Sequence, residues 1–284
     1  MKIPIINVKT KDRLDLYGLL LEAPKKKAVI INIHGTADNF YDNDFIWEIY
    51  KSLAPLNVSM LSTNNRGAYG LEVYQSSGAC AEIFEKCLMD IDAWIEKALS
   101  LGYKKIILQG HSLGTEKLVY YLNKGKYRNK VKAVILLGFS DSYGTNNAGS
   151  QKIRDTLMKE AKKLVQARQG NFFLTSAWLA HAGVLPQNAQ SYINFFKDNS
   201  ELSRALPLRQ GANLNFYQKI KVPILGVIGD QTEYTIIPIK KAISLLGSEN
   251  KLAQVFQIKN CNHCFEGRER ELAKIVKRFI LKYV

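Results

Sequence analysis

The chain has 284 residues, 46% of them hydrophobic, a formal net charge of +15 and four cysteines. That length suits one large α/β domain with an insertion and is too short for two full enzyme domains. The charge raises anionic substrates or nucleic acid as partners. The lysines are spread along the chain, however, with only local patches at Lys25-Lys26-Lys27, at Lys159 with Lys162 and Lys163, and at Lys240-Lys241. No basic motif interleaved with aromatics accompanies them, so a solvated surface and no nucleic-acid partner are expected.

The N-terminus, Met1-Lys2-Ile3-Pro4-Ile5-Ile6-Asn7-Val8, has no long apolar core and no small-residue cleavage site. It reads as a strand, not a signal peptide, which predicts a cytoplasmic protein. No apolar run is long enough to span a bilayer. Ile3 to Val8 and Leu14 to Leu21 predict an edge hairpin turning near Lys11-Asp12. Ala28-Val29-Ile30-Ile31-Asn32-Ile33 is almost wholly apolar, as expected of a central strand covered on both faces. A helix is expected over Phe45 to Leu53 and a strand over Val58 to Thr63. Phe84, Cys87, Leu88, Ile91 and Ile95 recur at helical spacing and predict an amphipathic helix over Glu82 to Leu101.

Lys104 to Gln109 then reads as a buried strand, and Thr115 to Tyr121 as a helix. Between them stands Gly110-His111-Ser112-Leu113-Gly114. A G-x-S-x-G in a strand-to-helix turn is a nucleophile elbow, with the serine on a strained turn. Side chains at the flanking glycines would collide with neighbouring backbone. Strands follow at Val131 to Leu137, Val222 to Ile228 and Gln254 to Ile258, and a last helix buries Leu272, Ile275, Val276 and Phe279. The alternation predicts a mostly parallel sheet with helices on both faces. From about Tyr143 to Tyr217 there are helical patterns without a strand, which predicts a helical lid inserted at the carboxyl end of a strand. The expected layout is one domain, with a core of residues 1–142 and 218–284 and a lid of residues 143–217.

A serine hydroxyl needs a base within hydrogen-bond reach. Of the four histidines, His111 lies inside the elbow, His34 opens a loop after the central strand, and His181 lies in the insertion. His263, just past the last strand, is the candidate base. It sits inside Cys261-Asn262-His263-Cys264, but two cysteines and one histidine are an incomplete tetrahedral set. Reduced thiols and no metal are expected. The oxyanion hole needs two N–H donors, and the N–H of Leu113, at a helix start, is one.

Over nearly its full length the chain resembles the α/β-hydrolase superfamily. The resemblance rests on four landmarks in the family's order: His34-Gly35-Thr36, Gly110-His111-Ser112-Leu113-Gly114, Val222 to Gly229, and Asn262-His263. The chain looks most like lidded serine esterases and lipases. Looser matches at Phe139-Ser140-Asp141 and Thr232-Glu233-Tyr234 make it similar to the siderophore-esterase-like group. The resemblance implies that Thr36 supplies the second oxyanion N–H. It also implies an Asp about three residues after the glycine that ends the acid strand, and that position here is Thr232. Glu233 is the preferred acid, Asp230 the second candidate and Asp141 a third, with a helix-capping role open to Asp141.

The expected function is cleavage of a small-molecule carboxylic ester through an acyl-serine intermediate, with no cofactor. Thioester or amide hydrolysis and acyl transfer share that chemistry. A non-catalytic ligand-binding protein with an impaired acid is the alternative of another class. Phe40, Tyr41 and Trp178 are candidate substrate contacts. Other aromatics of the insertion, Phe172, Phe173, Tyr192, Phe195 and Phe196, suit either an apolar pocket or lid packing. Its cations, Lys152, Arg154, Lys159, Lys162, Lys163 and Arg168, suit an acidic substrate or a solvated helix face.

Overall fold

A computed structural model describes residues 4–176 and 186–283. An antiparallel hairpin of β1 (Ile5–Lys9) and β2 (Asp15–Leu21) opens the chain. There follow β3 (Ala28–Ile33), α1 (Phe45–Leu53), β4 (Val58–Thr63), α2 (Cys87–Ser100), β5 (Ile106–His111), α3 (Leu113–Lys124) and β6 (Val131–Leu137). Helices α4 (Ser142–Ala148), α5 (Gln151–Gln166), α6 (Ala189–Phe196), α7 (Glu201–Ala205) and α8 (Asn215–Gln218) come next. The chain closes with β7 (Ile224–Ile228), α9 (Ile239–Glu249), β8 (Ala253–Gln257) and α10 (Glu269–Tyr283). None of the described helices is long and apolar enough to cross a membrane.

The eight strands form one sheet in the order β1-β2-β4-β3-β5-β6-β7-β8. Pairings from β4 through β8 are parallel, and β2 joins β4 antiparallel. Every residue of β3, β4 and β5 is buried, as the continuous apolar runs require of strands covered on both faces. Side chains alternate between two cores. Val29, Ile31 and Ile33 pack with Ile91, Trp94 and Leu118 of α2 and α3. Ala28 and Ile30 pack with Phe45 and Ile49 of α1 and Val276 and Phe279 of α10.

Two details differ from the sequence expectation. Residues 84–86 form a 3₁₀ turn, so α2 begins at Cys87 and not at Glu82. No element is expected from sequence between the last two strands, yet Ala242, Leu245 and Leu246 bury the inner face of α9 there. Among the described residues of 142–218 the regular elements are helices, apart from an isolated bridge between Phe173 and Asn188.

The strand order positions the site. From β3 the chain goes to β4 on one side and then crosses to β5 on the other. That reversal leaves a crevice at the carboxyl ends of β3 and β5, where ligands of open α/β sheets bind. Ile33 is level with Gly110, and His111 with Leu137, so the loops after β3, β5 and β6 open on one edge.

Candidate active site

Ser112 stands in that crevice, between β5 and α3, with φ 54° and ψ −128°. A non-glycine residue in this region is strained and is held there only by its surroundings. Its N–H donates to the Leu137 carbonyl at 3.0 Å. Its carbonyl accepts from the Thr115 N–H at 2.8 Å and the Thr115 hydroxyl at 2.7 Å. The flanking glycines are sterically required. A Cβ on Gly110 would lie 2.6 Å from the Gly114 carbonyl oxygen, and one on Gly114 2.3 Å from that of Ile33.

Across the crevice, Nδ1 of His263 lies 2.7 Å from Glu233 Oε2. The Glu233 side chain is fully buried, and its other oxygen accepts the Gly229 N–H at 2.9 Å. A carboxylate at Nδ1 requires the proton there, which leaves Nε2 with a free lone pair. Nε2 is buried and has no hydrogen-bond partner among the described residues. Gly138 makes room for the ring, since a Cβ there would come within 2.9 Å of His263 Cε1. No motif around Gly138 signals this beyond a glycine at a strand end.

The other acid candidates are engaged elsewhere. Asp230 accepts the N–H groups of Asn260 and Cys261, each at 3.0 Å, and these bonds lower its pKa. Asp141 caps α4 through the Gly144 N–H at 2.8 Å and pairs with Arg209 Nη1 at 2.6 Å. Thr232, at the family's acid position, takes φ 56°, and Glu233 beyond it turns inward to His263.

Two other histidines, His34 and His111, are bonded to backbone groups. Nδ1 of His34 donates to the Gly35 carbonyl at 2.8 Å while Nε2 accepts the Asn65 N–H at 3.0 Å. Burial, then the nearby Lys117 charge, pushes His34 down to about 4, so it is neutral. His111 Nε2 donates to the His263 carbonyl at 2.9 Å and so supports the loop that carries His263. His181 lies outside the described residues.

Ser112, His263, His111, Thr36 and Leu113 line one cavity of about 780 Å³. Leu113 opens α3, where the first N–H groups have no intrahelical acceptor and the helix dipole favours an anion. Phe195 and Phe196 of the helical segment also line the cavity, with Thr145, Asn146 and Gln187. Tyr192 is instead buried between α5 and α6, and Phe172 is exposed. Phe40 and Tyr41 are not brought to the cavity. Phe40 packs beside the α1–α10 core, and Tyr41 stands exposed against it. Trp178 lies outside the described residues. None of the cations expected on the insertion lines the cavity.

All four cysteines are free. Burial, followed by the Glu233 carboxylate, pushes the Cys261 thiol up to about 12. Among the described residues no three or more His, Cys, Asp or Glu side chains are placed to hold a metal ion.

Glu116 lies one turn beyond Ser112 on α3, and nothing in its sequence context marks it. It is wholly buried and accepts from the Ser142 N–H at 3.0 Å and the Ser140 hydroxyl at 2.9 Å. Burial, then the Asp141 carboxylate, pushes it from the ordinary 4.5 up to about 8. The folded state therefore keeps a proton that the unfolded chain has lost. This stabilisation is complete below about 4.5 and is lost as pH rises through about 8. Glu116→Gln, which imitates the protonated form, should flatten the fall in melting temperature between those limits. Parallel slopes for both proteins would exclude it.

Residues 8–232 match the family described as "Protein of unknown function (DUF1749)". No curated protein matches the chain in sequence. Among solved structures, the chain is similar to Est1E from Butyrivibrio proteoclasticus with ferulic acid bound, at 20% identity and TM-score 0.65, covering 98% of each chain. It is similar to a soluble variant of the monoglyceride lipase of Saccharomyces cerevisiae, at 14% identity and TM-score 0.66, over 100% of this chain and 97% of that one. An esterase of Pyrococcus furiosus, Pf2001, aligns at 16% identity and TM-score 0.62, over 99% and 91%. These likenesses establish the α/β-hydrolase fold.

Proposed function

We propose that this chain, which belongs to the DUF1749 family and has the α/β-hydrolase fold, cleaves a carboxylic ester through an acyl-serine intermediate. One observation carries the reading. The buried Glu233 carboxylate holds His263 by Nδ1 at 2.7 Å, with the free Nε2 buried at the cavity that Ser112 lines.

The steps follow from the residues. Nε2 takes the Ser112 proton as Oγ attacks the ester carbonyl. Glu233 stabilises the imidazolium that forms. The N–H groups of Leu113 and Thr36 receive the charge that develops on the carbonyl oxygen. Nε2 then protonates the leaving alcohol, and a water repeats the sequence to release the acid. Residues 143–217 act as a lid, with Phe195 and Phe196 turned to the acyl side. No cofactor enters any step. The non-catalytic alternative supposes an impaired acid, and the Glu233–His263 hydrogen bond argues against it.

An alkyl fluorophosphonate tests the reading directly. It should phosphonylate the native protein once, at Ser112, in parallel with loss of esterase activity. An unlabelled Ser112, with simple esters left intact, would sink the proposal.

A further inference from the structure

Helix α3 carries a buried ion pair that no step above uses. Lys117 is fully buried, and its ammonium lies 2.6 Å from Oε1 of Glu82, which is itself 2% exposed. Gly67 leaves room for that carboxylate, since a Cβ there would come within 2.2 Å of Glu82 Oε2. Taking two charges out of water is costly, and such a pair adds little stability over well-packed neutral side chains. What sets this pair apart is the group it holds. The Lys117 ammonium also donates to Oδ1 of Asn65 at 2.9 Å, and the same oxygen accepts the Gly67 N–H at 3.0 Å.

Those two donors fix the Asn65 amide. With Oδ1 turned to them, Nδ2 faces the other way and donates to the His34 carbonyl at 3.2 Å. The Asn65 N–H donates to His34 Nε2 at 3.0 Å, so the proton of the neutral ring sits on Nδ1. Burial, then the Lys117 charge, lowers the His34 pKa against the opposing pull of Asp38 and keeps the ring neutral. Nδ1–H donates in turn to the Gly35 carbonyl at 2.8 Å. That carbonyl belongs to the same peptide unit as the Thr36 N–H. In a trans peptide the two groups point in opposite directions, so holding the oxygen aims the N–H. The aim matters because the loop runs tight against Ser112. A Cβ on Gly35 would lie 2.8 Å from Ser112 Cβ and 3.3 Å from its Oγ.

We propose that Lys117, Glu82 and Asn65 are positioning residues for the oxyanion hole: acting through His34, they set the orientation of the Gly35–Thr36 peptide and so the direction of the Thr36 N–H. This rests on the acyl-serine reading and on the oxyanion role it gives Thr36. A donor stabilises developing charge best when it is already aimed as the charge appears. The support is anchored outside the cavity. Arg66, next to Asn65 in the chain, is tied to Asp90 of α2 at 2.7 Å and to Asp12 at 3.0 Å, and neither aspartate lines the cavity. The hole is therefore held by the fold and not by bound substrate.

Two probes test this, 4-nitrophenyl butyrate as the ester and 1,1,1-trifluoropentan-2-one as an inhibitor. Ser112 Oγ adds to the ketone carbon, its proton passes to His263 Nε2, and the ketone oxygen becomes an oxyanion in the hole. Asn65→Asp keeps an acceptor for Lys117 and Gly67 but loses the donor to the His34 carbonyl. Its kcat should fall about ten- to hundredfold, less than full loss of an oxyanion donor, and the ketone Ki should rise by a similar factor. KM should stay within about threefold, because the N–H acts chiefly on the transition state. Lys117→Met with Glu82→Gln leaves no charge buried alone. It should shift kcat and Ki the same way by about tenfold, with an unchanged or higher melting temperature. A merely structural role would move the melting temperature and leave kcat and Ki, per site titrated with fluorophosphonate, as in the native protein. That result would overturn the proposal. Long-range ¹H–¹⁵N spectra of the native protein should show His34 protonated at Nδ1, and a proton at Nε2 would overturn the proposal whether or not the variants fold. A native protein that neither cleaves the ester nor is labelled at Ser112 would overturn the acyl-serine reading as well.

Discussion

Ser112→Ala should lower kcat on any cleaved ester by about a thousandfold or more, with the fold unchanged. In the proposed mechanism the serine supplies the attacking oxygen. Without it, the base has no nucleophile to activate, and only the oxyanion donors and binding contribute. The members of such a set act as a unit, so adding His263→Ala to Ser112→Ala should cost little more. The substitution also removes little from the fold. The Ser112 backbone bonds to Leu137 and Thr115 do not involve its hydroxyl. Melting temperature should therefore stay within a few degrees. A folded Ser112→Ala protein that retains most of its activity would rule out the serine mechanism.

Glu233→Gln should cost two to four orders of magnitude in kcat, roughly the range for loss of a triad carboxylate. The carboxylate accepts the Nδ1–H of His263 at 2.7 Å, which keeps Nε2 in the form that takes a proton. An amide can turn its NH₂ towards Nδ1, favour the other tautomer and leave the imidazolium unstabilised. The Gly229 N–H can still be accepted by the amide oxygen, so the acid loop need not collapse. Asp230→Asn is the control. Its carboxylate is bound to two backbone N–H groups of the neighbouring loop, so its loss should act on loop stability and leave turnover within about tenfold. A larger kinetic effect for Asp230→Asn than for Glu233→Gln would reverse the assignment.

The site was legible where its chemistry is local. The elbow could be read from Gly110, Ser112 and Gly114 because a strained strand-to-helix turn excludes a Cβ at both flanks, and the 2.6 and 2.3 Å clearances express that exclusion. The sheet and its helical faces could be read because buried strands and amphipathic helices have different apolar periods. His263 was reached by its place after the last strand. The acid could be narrowed only to a few carboxylates. Spacing does not say which way a side chain turns, and the left-handed Thr232 with the Gly229 N–H turns Glu233 inward. Phe40 and Tyr41 were adjacent to the oxyanion loop in sequence, yet the turn into α1 carries them away from the cavity.

Charge shows the same division. Net charge is a sum over residues, so the sequence alone determines that the protein is strongly basic. The field at Ser112 is a sum over distances, so it depends on which charges the fold brings near the cavity. Asp38, Asp42 and Asp44 stand more than two hundred residues before Glu266 and Glu269 in the chain. They line one cavity only because α1 and α10 pack on the same face of the sheet. Ser112 and His263 as candidates, and the fold class, could be read from the sequence, since each depends on neighbours along the chain. Tertiary structure brought Glu233 to His263 and set the cavity lining, since each depends on neighbours across space.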